Sequence, residues 1–223
     1  MKIKKIIKHK NKLLELKLIK TKIYTKNYNN FIKIEDISYK LKKALHIIYK
    51  YHVNNKRILF IGTPIHINKK LKLVLKNTKH IIIPEPAWMN GILTNQASCF
   101  QYLSKNHKTV NSKFSKFLFQ LKKQSDLVVI LDALFNASAV SEGYMAHMPV
   151  ISLNCDLNIS DIKSSYKVPG KFKFTKKKIR DNFFYEILTA TFKKANRTKT
   201  KSYRIQKRKN QKTRNFLLNK KQR

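Results

Sequence analysis

Short apolar blocks punctuate the middle of the chain: Phe31 to Glu35, Arg57 to Ile61, Lys79 to Ile83, Leu127 to Leu131 and Val150 to Leu153. Each has the length and β-branched content of a strand, and Gly62-Thr63-Pro64 and the pair Pro84 and Pro86 terminate two of them. Between the blocks the period changes to that of a helix. Leu41, Ala44, Leu45 and Ile48 recur at helical spacing behind Asp36 or Ser38 as caps, and a second helix passes through Leu71 and Leu75. Phe114, Phe117, Phe119 and Leu121 mark a third, and Ala137 to Met145 a fourth. After Pro169-Gly170, Ile179, Phe183, Ile187 and Ala190 share one face of a last helix through Phe192. Near-continuous apolar strands alternating with helices predict a mainly parallel five-stranded sheet covered on both faces. Right-handed crossovers make it a three-layer αβα doubly wound α/β fold of the flavodoxin-like kind, with basic N- and C-terminal extensions.

The charge is laid unevenly along this pattern. Fifty Lys and Arg stand against eleven Asp and Glu, a formal net charge of +39. Residues 79–162 hold seven Lys and six acids, whereas residues 1–22 hold nine Lys and one Glu, and 196–223 twelve Lys or Arg and no acid. The expected organisation is therefore a basic extension over 1–30, an α/β domain over 31–195 and a basic tail over 196–223. So large an excess opposes compaction unless a polyanion neutralises it, and the free chain is expected to be poorly soluble or partly unfolded at low salt. Lys2, Lys4, Lys5, Lys8 and Lys10 at one end are candidate phosphate contacts. At the other stand Arg197, Lys199, Lys201, Arg204, Lys207, Arg208, Lys209, Lys212 and Arg214, interleaved with Tyr203 and Phe216. The tail lacks the apolar face of a membrane-surface helix, while the leucines and isoleucines of the first twenty residues suit packing on a protein neighbour.

Several function classes are excluded or weakened. A composition 42% hydrophobic and 11% aromatic is incompatible with full disorder. No apolar run approaches the length of a membrane-spanning helix. Cys99 and Cys155 show no ligand or disulfide spacing and read as small buried hydrophobes. With four glycines and neither Gly-x-Gly-x-x-Gly nor a P-loop, no nucleotide cofactor or metal is expected. Asp132 and Asp156 follow the last two of the strands above, where they either form a cleft or cap loops. Glu142 and His147, five apart, do not share a helix face, and Cys155 has no base or glycine-rich elbow beside it. Lys dominates over the seven Arg, and Asn, Ile, Phe and Tyr are plentiful, a bias matching AT-rich organellar coding. The first twenty residues contain neither Arg nor Ser, unlike typical transit peptides.

The order Ile58-Leu59-Phe60-Ile61-Gly62-Thr63, Trp88-Met89-Asn90-Gly91-Ile92-Leu93-Thr94-Asn95, Ser125 to Asp132, Ala139 to Glu142, Met148-Pro149-Val150-Ile151 and Val168-Pro169-Gly170 resembles the small-subunit ribosomal protein S2 family, in a divergent organellar form of mitochondrial type. The resemblance runs from about Phe31 to Gly170. It implies a non-catalytic constituent of the small subunit of a mitochondrial ribosome, a plastid being the other organelle to consider. Its implied partners are small-subunit rRNA and neighbouring ribosomal proteins, with no membrane, no cofactor and no free homo-oligomer. Gly62, Thr63, Trp88, Gly91, Leu93, Thr94, Asn95, Asp132, Glu142, Pro149, Asp156, Pro169 and Gly170 are then structural motif positions, with Gly62 in a tight turn and Trp88 a packed anchor. Ala87 and Asn90 replace the family's Arg and Gly beside the Trp, so an RNA contact there is not carried over. The helical hairpin of bacterial relatives is reduced to at most Gln101 to Gln124. Asn154 to Asn158 stands for the family's Val-Asp-Thr-Asn, and Lys171-Phe172-Lys173 for its Asn-Asp-Asp. Two readings compete: an α/β enzyme acting on RNA, a nucleotidyl or methyl transferase with a cleft at Asp132 and Asp156, and a DNA-compacting protein.

Overall fold

The computed structural model describes residues 12–19, 33–64, 73, 75, 78–105, 118–122, 124–133, 135–155, 164–170, 172, 183–200 and 211. In chain order the described elements are α1 (residues 12–19), α2 (Ile34–Val53), β1 (Ile58–Thr63), β2 (Ile81–Pro84), α3 (Gln96–Lys105), β3 (Leu127–Ile130), α4 (Ala137–Met145), β4 (Val150–Leu153), β5 (Tyr166–Val168) and α5 (residues 183–200). Single 3-10 turns at Glu85–Ala87 and Phe119–Lys122 complete them.

The five strands form one sheet in the order β2-β1-β3-β4-β5, every pair parallel. Leu59 sits between Ile81 and Val128, and Val129 opposite Ile151, so the register aligns apolar residues across the sheet. All positions of β1 to β4 are buried, as a sheet with helices on both faces requires. Alternation then sorts side chains into two cores. Ile58, Phe60, Leu127, Val129, Ile151 and Leu153 meet α1, α2 and α5, whereas Leu59, Ile61, Val128, Ile130 and Val150 meet the Trp88 segment, α3 and α4.

Four of the five expected strands are present. The fifth differs: Lys33 to Glu35 do not form a strand, because Ile34 continues the spacing of Ile37, Leu41, Ala44, Leu45 and Ile48 and joins α2, while Tyr166–Val168 supplies the edge strand instead. Asp36 and Ser38 accordingly lie inside α2 and do not cap it. Lys33 is at the cap without a side-chain bond, Ser38 Oγ donates to the Glu35 carbonyl at 2.9 Å, and Glu35 and Asp36 complement the helix dipole from the first turn.

The last helix is also rotated from expectation. Phe184, Tyr185, Leu188, Phe192 and Ala195 form its buried stripe, with Phe183 beside them, while Ala190 is exposed; the larger aromatic area decides which face goes in. It continues past Ala195 to residue 200, and Asn196 and Lys199 bond to the body. In α1, Leu18 enters the same core and Leu14 packs against it. Of the helix expected through Leu71 and Leu75, Leu73 and Leu75 are helical and Leu71 lies outside the described residues; so do Phe114, Phe117 and Ile179. Cys155 is buried as expected, whereas Cys99 is only half-buried.

At Gly143, α4 packs tightly on the sheet: a Cβ there would stand 2.7 Å from Val150 Cγ2. Gly143→Ala should therefore cost about 1–3 kcal/mol through overpacking. In a urea-denaturation cycle, Val150→Ala should cost less in the Gly143→Ala background than in the unsubstituted chain, and strict additivity would show that no clash is relieved.

Candidate functional site

In a sheet of this order the crevice for a ligand lies beyond the carboxyl ends of β1 and β3, where the chain switches direction. Among the described residues, Asn136 and Asn154 stand at this edge. Gly62 lies inside β1 rather than in the turn expected there, at φ +82, and a Cβ on it would lie 3.0 Å from Asn136 Nδ2 and 3.8 Å from the Asp132 amide nitrogen. Asn136, 4% exposed, donates to the Asp132 carbonyl from its backbone N–H (3.1 Å) and from Nδ2 (2.9 Å). Gly62 is skipped in the pairing of β1 with β2, and Thr63, fully buried, donates from Oγ1 to the Ile83 carbonyl at 3.4 Å.

Asn154 continues this edge from the end of β4. At φ +55, its Oδ1 accepts the Phe172 N–H at 2.7 Å, and its Nδ2 donates to the Phe172 carbonyl at 2.9 Å and to Asp132 Oδ2 at 3.2 Å. Asp132 thus works as a structural acceptor between two asparagines. Asp156 lies outside the described residues, so its convergence with Asp132 is not on view. Pro169, buried, and Gly170, at φ +134, follow β5 on the same edge, and the Pro149 carbonyl accepts the Val128 N–H at 3.0 Å where β4 begins.

Glu142 organises the segment most characteristic in the sequence. It is 5% exposed on α4, and its carboxylate accepts the Gly91 N–H at 2.7 Å through Oε1 and the Leu93 N–H at 3.3 Å through Oε2. A charged acceptor satisfying backbone donors is a strong bond. It fixes the turn over residues 88–95, in which Trp88, Met89 and Leu93 pack half-buried on the α3/α4 core while Thr94 and Asn95 are exposed. The Asn95 N–H returns to the Gly91 carbonyl at 2.7 Å, and the Asn95 carbonyl receives the Cys99 N–H as α3 begins. His147 is exposed beyond the helix, so it forms no acid/base pair with Glu142. Gln96 Nε2 bonds the Leu121 carbonyl and Phe100 stacks on Phe119 at 5.9 Å, bringing the chain back beside α3.

A polar relay that sequence reasoning missed ties α5 to the opposite end of the sheet. The Ile58 N–H donates to His80 Nδ1 (3.2 Å), so His80 carries its proton on Nε2 and donates to His52 Nδ1 (2.7 Å); His52 Nε2 then donates to Asn196 Oδ1 (2.7 Å). Phe192 lies against both rings, and Lys199 binds Asn55 Oδ1 at 2.8 Å. Burial, the neighbouring His52 and Lys199 push His80 down to about 3. Burial also lowers His52, against the bond to Asn196 and with Lys199 acting in the same direction as burial. No motif announces this cluster, since its members lie 28 and 144 positions apart.

Among the candidate phosphate contacts, Arg197 is exposed and Lys199 partly buried on α5. Lys2, Lys4, Lys5, Lys8, Lys10, Lys201, Arg204, Lys207, Arg208, Lys209, Lys212 and Arg214 lie outside the described residues. No group of three or more metal-ligating side chains occurs among the described residues, and no described helix is long and apolar enough to cross a membrane.

The model of the family described as Ribosomal protein S2 matches residues 6–190. The chain belongs to the ribosomal protein S2 family. Small ribosomal subunit protein uS2 of Chlamydia abortus is 29% identical over 171 residues, covering 61% of this chain and 60% of that protein. The uS2 protein of Mycoplasma genitalium is 25% identical over 170 residues, 65% of this chain and 59% of that one. The protein named uS2c from Euglena longa is 28% identical over 145 residues, 53% and 61%. The chain thus spans about three fifths of the length of these S2 relatives. The S2 match includes β1 to β5, the Trp88 segment and Glu142.

Glu142→Ala should destabilise the fold by about 1–3 kcal/mol, since two partly buried backbone donors lose their carboxylate acceptor. Hydrogen exchange at Gly91 and Leu93 should accelerate, and unchanged exchange there would contradict the anchoring role. The histidine relay makes stability pH-dependent. Both rings are held neutral, so their contribution is complete above pH about 6.5 and is lost as pH falls from there toward 3. The urea midpoint at fixed ionic strength should drop between pH 7.5 and 5, and by less in His80→Gln; an equal drop in both would assign it to other groups.

Proposed function

We propose that the chain is a non-catalytic structural constituent of the small subunit of a mitochondrial ribosome, binding small-subunit rRNA and neighbouring ribosomal proteins and so supporting translation. Membership of the S2 family over residues 6–190 carries the reading. These relatives bear the name small ribosomal subunit protein, and this chain adds a core domain with strongly basic ends suited to neutralising phosphate. Abundant Lys, Asn, Ile, Phe and Tyr support the organellar assignment, and mitochondrial origin is the part of the proposal that rests on that composition. The twelve Lys and Arg of residues 196–223 and the five Lys of residues 2–10 supply the sequence-independent part of the attachment.

The reading of an RNA-modifying enzyme needs a cleft at Asp132. That side of the sheet edge is occupied by Asn136 and Asn154, both bonded to Asp132.

Gradient sedimentation of an organelle lysate, with the chain followed by mass spectrometry, tests the proposal. The chain should travel with the small subunit at moderate salt and leave it at high salt, and migration as a free protein under both conditions would overturn the reading. Removing residues 201–223, which spares the described length of α5, should lower the salt concentration needed for release, because fewer phosphates are neutralised.

A further inference from the structure

We propose that the exposed face formed by the C-terminal halves of α2 and α5 is a docking surface for an RNA phosphodiester backbone. This deepens the ribosomal reading, on which it rests, by naming the face of the domain that meets RNA. The two helices meet at these halves: Tyr49 Oη donates to Thr198 Oγ1 at 3.3 Å, His52 to Asn196 at 2.7 Å, and Lys199 to Asn55 at 2.8 Å. Outside this seam stand His46 and Lys50 on one side of α2, with Lys43 at mid-helix, its Nζ 5.5 Å from the Tyr166 ring centroid, and Lys193, Lys194 and Arg197 on α5, all exposed. Lys194 Nζ lies 5.8 Å from the Tyr49 ring centroid, and His46 stacks on that ring at 6.3 Å and 15°. Exposed cations grouped about this half-buried ring suit contact with a nucleic-acid backbone of any sequence.

The charge of this face is not balanced from within. No acid occurs between Ile37 and Pro84 or after Glu186. The acids of the two helices, Glu35, Asp36 and Glu186, lie in their N-terminal turns, and Glu186 pairs with Lys17 at 3.6 Å. Asp126 accepts from Lys56 and from the Arg57 N–H, at the start of β1. By contrast α3 and α4 together carry one Lys and one Glu, Lys105 and the buried Glu142.

Apolar partners fit this face poorly. None of the exposed large hydrophobic residues falls within 43–56 or 190–200, whereas Phe135, Tyr144 and Met145 are 80%, 53% and 60% exposed on and beside α4. Charge complementarity therefore selects a polyanion over an apolar protein surface or a bilayer. Continuity with the tail points the same way, since ten Lys or Arg follow Thr200 in the sequence.

The test compares small subunits carrying the full chain, its Lys43→Gln/Lys50→Gln/Lys194→Gln variant, or a control with Lys12→Gln/Lys33→Gln/Lys105→Gln. Salt-dependent release is read on gradients, and ultraviolet crosslinks are mapped to peptides. The free chains are first matched by helical circular dichroism. The expected result is release of the first variant at about half the salt concentration that frees the unsubstituted chain, a smaller shift for the control, and nucleotide adducts on peptides spanning 43–50 or 193–197. Equal release of the first variant and the unsubstituted chain would overturn the proposal while leaving the ribosomal reading intact. Crosslinks from these peptides to protein alone would overturn it in favour of an acidic protein partner. Absence of the unsubstituted chain from the subunit fraction would overturn the ribosomal reading itself.

Discussion

An all-parallel sheet whose central strands are buried on both faces demands two covering layers, and this requirement organises the rest of the molecule. β1 and β3 lie at its middle, and the strand order sends the intervening chain to one side or the other. The layer containing α1, α2 and α5 is built from segments near the two ends of the chain, whereas the layer containing the Trp88 segment, α3 and α4 comes from its centre. Because the lysines are concentrated toward the ends of the sequence, folding converts a linear segregation of charge into two unlike faces. One is cationic, and the other has an almost neutral set of helices with exposed Phe135, Tyr144 and Met145.

The same architecture elsewhere presents ligands at the carboxyl ends of its strands, and fold alone does not decide whether it does so here. The side chains decide. Asn136 occupies the position beside Gly62, Asn154 bridges Asp132 to Phe172, and Glu142 ties the turn after β2 to the helix after β3. Polar groups that an enzyme would aim at a substrate are here aimed at the backbone. The described part of this edge is tied together by these bonds.

Much of this was legible from the chain. The blocks at 58, 81, 127 and 150 are continuous apolar runs bounded by turns, and α4 runs over the predicted residues. Phe31-Ile32-Lys33-Ile34-Glu35 alternates locally and so predicts a strand, but Ile34 also extends a helical stripe, and the longer pattern prevails. β5 escaped because three residues containing Lys167 leave little hydrophobic signal, as befits an edge strand. Trp88, Gly91 and Glu142 are motif positions by family resemblance, but the bond between Glu142 and the Gly91 N–H joins residues 51 apart and has no local signature. Asn136 and Asn154 resemble ordinary turn residues, and the His52–His80–Asn196 relay exists only in three dimensions.

The central claim is that the sheet separates an RNA-facing layer from a nearly neutral one. A cryo-electron-microscopy map of the small subunit containing this chain tests it most directly. The account predicts RNA backbone density along the C-terminal halves of α2 and α5, with the carboxyl edge at Gly62, Asn136 and Asn154 filled by protein. RNA running along α3 and α4, with the α2/α5 face open to solvent, would contradict it.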